Sequence, residues 1–135
     1  TKLDPRKLAI ENVQFPYKFM KRIIDEYDLS TCFDTGHLLA GTSGDYTIME
    51  FLRDNFNRII EIHLHDGYCE EKGKDMKILR DHLRLGEGRL PIVEMFEFLK
   101  RNKYSSPLIF ELPFAEAVKS LQVIRKLFPS ALGSP

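Results

Sequence analysis

The sequence predicts an α/β fold in which a parallel sheet carries helices on its outer face. Two observations point there. Short apolar, β-rich runs alternate with longer amphipathic segments, and the alternation recurs four times in 135 residues. Each β-rich run also ends in a polar or ionisable residue, as parallel strands do where they feed a ligand face.

The first run is Leu8-Ala9-Ile10, ending in Glu11-Asn12. Pro16 to Tyr27 follows, with Phe19, Met20, Ile23, Ile24 and Tyr27 at helical spacing. The second run is Thr31-Cys32-Phe33, ending in Asp34-Thr35-Gly36-His37, and Tyr46 to Asn55 is its helix. The third is Ile59 to Leu64, which contains His63 and ends in His65-Asp66-Gly67. Its helix is Pro91 to Asn102, with Pro91 suited to a first helical turn. The fourth run, Pro107 to Phe110, ends in Glu111 and precedes a helix from Ala115 to Phe128, which Pro129 stops. Tyr68 to Arg89 interrupts the rhythm. It is long, charged and glycine-containing, and reads as a functional or mobile loop. Residues 1–130 form the expected domain, and 131–135 a flexible tail.

Composition narrows the functional classes. Apolar residues make up 43% and charged residues 30%, enough for a core and a soluble surface. No apolar run approaches the ~18 residues of a membrane span, and no signal peptide is visible. Lys+Arg and Asp+Glu both total 20, and this balance argues against a nucleic-acid partner. Cys32 and Cys69 lack zinc-type pairing and read as reduced thiols, so a cytoplasmic protein is expected. Lys72, Lys74 and Lys77 read as a solvated face.

Taken singly, the strand-end residues have plain readings. Glu11 suits a turn cap, Asp34 an Asx turn, His63 a hydrogen-bonded core histidine and Glu111 a loop. Jointly they are harder to dismiss, because buried carboxylates are costly unless paired or metal-bound. Two Glu, one Asp and one His on a single rim would suit Mn²⁺, Mg²⁺ or Co²⁺. Zinc is the less typical choice for such an oxygen-rich set.

The segments Leu8-Ala9-Ile10-Glu11-Asn12, Phe33-Asp34-Thr35-Gly36-His37, Ile62-His63-Leu64-His65-Asp66, Leu85-Gly86-Glu87-Gly88 and Leu108-Ile109-Phe110-Glu111 occur in a telling order. The chain resembles the xylose isomerase-like TIM-barrel superfamily, the sugar (phosphate) isomerases and epimerases related to endonuclease IV. The resemblance runs from about Leu8 to Phe128 and is most specific at Asp-Thr-Gly-His and His-Leu-His-Asp. It implies that Glu11, Asp34, His63 and Glu111 bind one catalytic metal, with Glu11 and Glu111 also acting as acid and base. It matches His37 to a histidine that contacts substrate in the epimerases or a second metal in the nucleases. It matches His82 to a substrate-binding Arg or a metal-binding His. His65 reads as a neighbour of the site. His37, His82 and Arg80 are candidates for holding substrate hydroxyls or a phosphate.

Some positions depart from the pattern. The nuclease-like members place Asp two residues before the second histidine, where this chain has Arg80, with Asp81 adjacent. The turn after Gly88 reads Arg89-Leu90-Pro91, where relatives often carry Asp third. The favoured expectation is a divalent-metal-dependent isomerase or epimerase of a sugar or sugar phosphate, working through an enediolate. The alternatives are an endonuclease IV-like zinc phosphodiesterase and a non-catalytic half-barrel module. Four βα units are half of a TIM barrel, so the chain reads as a carboxyl-terminal half. It is expected to form homo-oligomers or to pair with a missing amino-terminal half.

Overall fold

The computed structural model describes residues 2–72 and 76–129. Lys74 and the tail at 131–135 lie outside the described residues. Four parallel strands form one sheet in the order β1 (Ala9–Glu11), β2 (Ser30–Asp34), β3 (Ile59–His63) and β6 (Leu108–Ile109). The outer helices are α1 (Tyr17–Glu26), α3 (Ile48–Asn55), α4 (Ile92–Arg101) and α5 (Phe114–Leu127), as their apolar spacing predicts. A short α2 (Thr35–Leu39) starts directly on the end of β2. No described helix is long and apolar enough to cross a membrane.

Local chemistry sets the helix starts. Pro16, Pro91 and Pro113 immediately precede α1, α4 and α5, where a fixed φ and a missing N–H do no harm. Helix α3 instead begins with a capping box. Thr47 Oγ1 accepts the Glu50 N–H, and the Glu50 carboxylate accepts the Thr47 N–H at 2.9 Å. Alternate strand residues then face the helices. Phe33 of β2 stacks on Phe51 of α3 with ring centroids 4.3 Å apart. Tyr17 is buried beside them, its hydroxyl 2.8 Å from Thr31 Oγ1. Ile24, Leu52, Ile62, Met95, Leu99 and Ile124 complete this buried layer.

The sheet is open on both sides. Strands β1 and β6 are its edges, and four strands are half the complement of a closed TIM barrel. Phe15, Phe19, Ile23 and Tyr27 recur every four residues and are all exposed, Phe15, Phe19 and Tyr27 at 61–67%. At the other edge Leu108, Ile109, Phe114 and Val118 are exposed. These are apolar surfaces of a kind that soluble monomers usually cover.

One expectation changes. Between Tyr68 and Arg89, where a long loop was predicted, the chain forms an antiparallel hairpin of β4 (Asp66–Glu71) and β5 (Lys77–Leu83). Only its root, Asp66 and Gly67, is fully buried. Both faces beyond that root are largely solvated, so the hydrophobic alternation that marks a strand is absent from the sequence. The root is held by a single carboxylate. Asp66 Oδ1 accepts the N–H groups of Gly67 at 2.9 Å and Leu90 at 2.8 Å, and Oδ2 accepts that of Gly86 at 2.9 Å. Gly88 packs so closely that a Cβ there would overlap Asp66 and the Gly67 backbone. The Gly-Glu-Gly turn is therefore a docking surface for Asp66. Replacing Asp66 by Ala strands three backbone donors, and we expect a loss of about 3 kcal/mol in urea unfolding followed by circular dichroism. Asp66→Asn, which keeps one acceptor oxygen, should lie between the two.

Candidate metal centre

Parallel register decides which strand-end residues meet. Asp34 pairs with His63 across β2 and β3, and His63 pairs with Ile109 of β6. Glu11 is level with Cys32, two residues before Asp34, and Glu111 lies two residues beyond Ile109. Their side chains converge from these different heights. One ligand atom from each of Glu11, Asp34, His63 and Glu111 can be chosen so that all four lie within 4.8 Å of one another. His63 Nδ1 is central: it is 3.5 Å from Glu11 Oε1, 3.8 Å from Asp34 Oδ2 and 3.2 Å from Glu111 Oε2.

Three buried atoms there have no hydrogen-bond partner: His63 Nδ1, Glu111 Oε2 and, beside them, His37 Nδ1. The other His63 nitrogen, Nε2, is 3.0 Å from Glu61 Oε1. That is the arrangement of a ligating histidine, with one nitrogen toward a cation and the other fixed by a carboxylate. Burial works against charge on His63, but Glu61, Glu11, Glu111 and Asp34 together hold its pKa above the usual value. A nitrogen held among carboxylates and left unpaired fits a divalent cation, as does the donor set of three carboxylates and one imidazole.

Asp34 is fully buried, and both of its carboxylate oxygens are hydrogen-bonded. Burial alone would raise its pKa. The His65 ring and the His37 backbone outweigh that and hold the carboxyl below its ordinary range. Oδ1 accepts the His37 N–H at 2.7 Å, capping α2, and Oδ2 is 2.8 Å from His65 Nε2. The Asp34 backbone is held as well. Asn12, also buried, donates from Nδ2 to the Asp34 carbonyl at 2.9 Å and accepts the Asp34 N–H on Oδ1 at 2.7 Å.

The remaining sequence candidates divide. His37 reaches the rim, its Nδ1 3.4 Å from Glu11 Oε1. His82, at the end of β5, reaches it from the hairpin, with Nε2 3.8 Å from Glu111 Oε2. Arg80 is exposed and makes no hydrogen bond or ion pair through its side chain among the described residues. The acid near the two histidines is Asp81, 3.8 Å from His37 Nε2 and 3.1 Å from His82 Nδ1. The resemblance to the nuclease-like members puts such a carboxylate at position 80, where this chain has Arg80. His65, read as a neighbour, is a hydrogen-bond partner of Asp34. Asn12 was not singled out as a site residue because its role depends on pairing across strands, and Glu61, two residues before His63 on β3, was read only as part of an apolar run. Below the rim lies Cys32, a free thiol pushed up to about 12 by burial and the surrounding carboxylates, and so protonated. A cleft of about 570 Å³ bounded by Pro16, Tyr17, Gly44 and Tyr46 is lined by none of the four converging residues.

Residues 4–127 match the family described as Xylose isomerase-like TIM barrel. The chain is 33% identical over 107 residues to an uncharacterized protein of Methanocaldococcus jannaschii, covering 76% of this chain and 32% of that protein. It is 24% identical over 127 residues to an inosose dehydratase of Histophilus somni, covering 77% and 43%. Among solved structures, a xylose isomerase domain protein from Planctomyces limnophilus superposes with a TM-score of 0.67 at 21% identity, over 88% of this chain and 44% of that one. A D-tagatose 3-epimerase-like protein also gives 0.67, at 25% identity, over 90% and 46%. The chain thus spans 32–46% of the length of these relatives. With the four-stranded parallel sheet and the family match over nearly its whole length, the chain belongs to the xylose isomerase-like TIM-barrel family.

Proposed function

We propose that this chain carries the metal-holding half of a divalent-metal-dependent sugar or sugar-phosphate isomerase or epimerase. The observation that carries the reading is the pair of buried, unpartnered atoms His63 Nδ1 and Glu111 Oε2, facing Glu11 and Asp34. Glu11, Asp34, His63 and Glu111 would hold the cation, with Mn²⁺, Mg²⁺ or Co²⁺ favoured by the oxygen-rich set and Zn²⁺ next. When bound, the cation supplies Lewis-acid stabilisation of the oxygens of an enediolate. The chain supplies proton transfer. Glu11 and Glu111 come from opposite edges of the sheet and so approach a substrate from two sides. One takes the proton beside the carbonyl and the other returns it. Return to the same carbon inverts it, and return to its neighbour exchanges aldose and ketose. His37 and His82 flank the rim and would hold substrate hydroxyls, while Arg80, two residues before His82, would take a phosphate.

The named relatives are compatible with this chemistry, because removal of a proton next to a carbonyl can also precede loss of water, the reaction in the name of the Histophilus somni protein. The Asp81, His37 and His82 grouping gives the zinc phosphodiesterase reading its own support. Neutral overall charge weighs against that reading. The exposed apolar rows at both sheet edges, and relatives about twice as long, support assembly with a second half or a second copy.

Mn²⁺ titration followed by electron paramagnetic resonance should show one tight site per chain. His63→Ala should weaken it by 10-fold or more; undiminished binding would count against the assignment. With Mn²⁺ and a ketose panel, in the chain assembled with its complementary half, solvent deuterium should enter the carbon beside the carbonyl. Glu11→Gln should slow that exchange by about 10²-fold or more. Chelator-sensitive cleavage of an abasic duplex, without such exchange, would favour the phosphodiesterase. Sedimentation velocity on the chain alone should show a species larger than a monomer; a monodisperse monomer would oppose the assembly reading.

A further inference from the structure

His65 is fully buried, and both of its ring nitrogens are used. Nε2 faces Asp34 Oδ2 at 2.8 Å, and Nδ1 accepts the backbone N–H of His82 at 2.8 Å. A carboxylate only accepts and a backbone N–H only donates, so Nε2 carries the proton and Nδ1 is bare. The ring has no freedom to turn. On one side a Cβ at Gly36 would overlap Nδ1 and Cε1. The His82 ring stacks on it with centroids 4.2 Å apart and an interplanar angle of 14°. Thr35 Oγ1 holds the His65 backbone from the start of α2, donating to its carbonyl at 2.7 Å and accepting from its N–H at 3.1 Å. His82 itself has φ +51°, a left-handed backbone uncommon outside glycine, and it keeps this conformation where its N–H meets His65. The same ring thus touches a metal-centre carboxylate on β2 and the backbone of a hairpin that is largely solvated beyond its buried root.

We infer that His65 is a positioning residue that latches the β4–β5 hairpin to the metal centre, so that ordering of the Asp34 carboxylate and docking of His82 over the rim are coupled. The inference rests on the metal-centre reading and adds a mechanical role to a residue that is not itself a ligand. His37, His65 and His82 have ring nitrogens within 4.8 Å of one another. With both of its nitrogens committed, His65 serves that group as a support. Cation binding then stiffens the hairpin through Asp34 and His65. Loosening the hairpin leaves Asp34 less well oriented for the cation.

Two substitutions separate the halves of the latch. In His65→Asn the amide group falls near the position of Nδ1, so it can accept from His82 and cannot reach Asp34. In His65→Gln the amide falls near Nε2, so it can donate to Asp34 and no longer accepts from His82. Mn²⁺ affinity by isothermal titration and hydrogen–deuterium exchange of the 76–85 peptide are measured on the full chain. Wild-type exchange in this peptide should slow when Mn²⁺ is added. His65→Asn should bind Mn²⁺ at least 10-fold more weakly while keeping the hairpin protected without metal. His65→Gln should bind nearly as tightly as wild type, with the peptide exchanging several-fold faster and no longer slowed by Mn²⁺. Wild-type affinity in His65→Asn, or unchanged exchange in His65→Gln, overturns the latch. Nitrogen-15 shifts of the wild-type imidazole give a check that needs no folded variant: a protonated Nδ1 overturns it as well. A wild-type chain that takes up no Mn²⁺ overturns the metal-centre reading instead, and the metal coupling with it. The tautomer and the metal-free exchange of His65→Gln still report on the hairpin contact separately.

Discussion

Burying the Asp34 carboxylate is the constraint from which much of the local architecture follows. A fully buried anion is tolerable only when its oxygens are met by donors. Here the donors are the first turn of α2 and the ring of His65. Meeting that need accounts for each letter of Asp-Thr-Gly-His. Asp34 caps its own helix and faces the rim. Thr35 straps β2 to the backbone after β3. Gly36 leaves room for the His65 ring, and His37 offers its N–H to Asp34 and its side chain to Glu11. The motif is a short list of spatial requirements around one charge.

A second carboxylate plays the same part for the hairpin without facing the rim. Asp66 gathers three backbone donors from two separate segments and fixes where the hairpin leaves the sheet. The Gly-Glu-Gly turn is shaped by that internal anion. Two aspartates thus organise the same end of the sheet, Asp34 toward the rim and Asp66 toward the scaffold.

The parallel strands and outer helices were legible in the sequence because each buries a distinct face. Phe33 and Ile62 lie in apolar runs, and Phe51, Met95 and Ile124 sit at helical spacing. Strand-end carboxylates were legible because charge at the end of an apolar run is conspicuous. The hairpin was hidden because residues such as Glu70, Glu71, Lys77 and Arg80 bury nothing that periodicity can register. Asn12 and the bonding of His65 were hidden for another reason. Asn12 lies 22 positions from the backbone groups it holds, and His65 31 positions from its carboxylate. Only strand register brings such partners together. Asp81 rather than Arg80 lies beside the histidines, at the point where the hairpin register shifts and the backbone at His82 turns left-handed.

The stagger of the four converging residues gives their convergence a meaning for folding. Glu11 is level with Cys32 while Asp34 is level with His63. Side chains alternate between sheet faces, so a one-residue slip of any strand would turn its own ligand away and bring an outward neighbour such as Ile10, Phe33 or Ile62 into its place. A cation that binds all four side chains therefore recognises only one alignment of the strands. Its binding free energy is added to that alignment and withheld from every mispaired one. With a cation bound, the rim would proofread the sheet: the same four residues that would serve chemistry would also reward the correct pairing of β1, β2, β3 and β6.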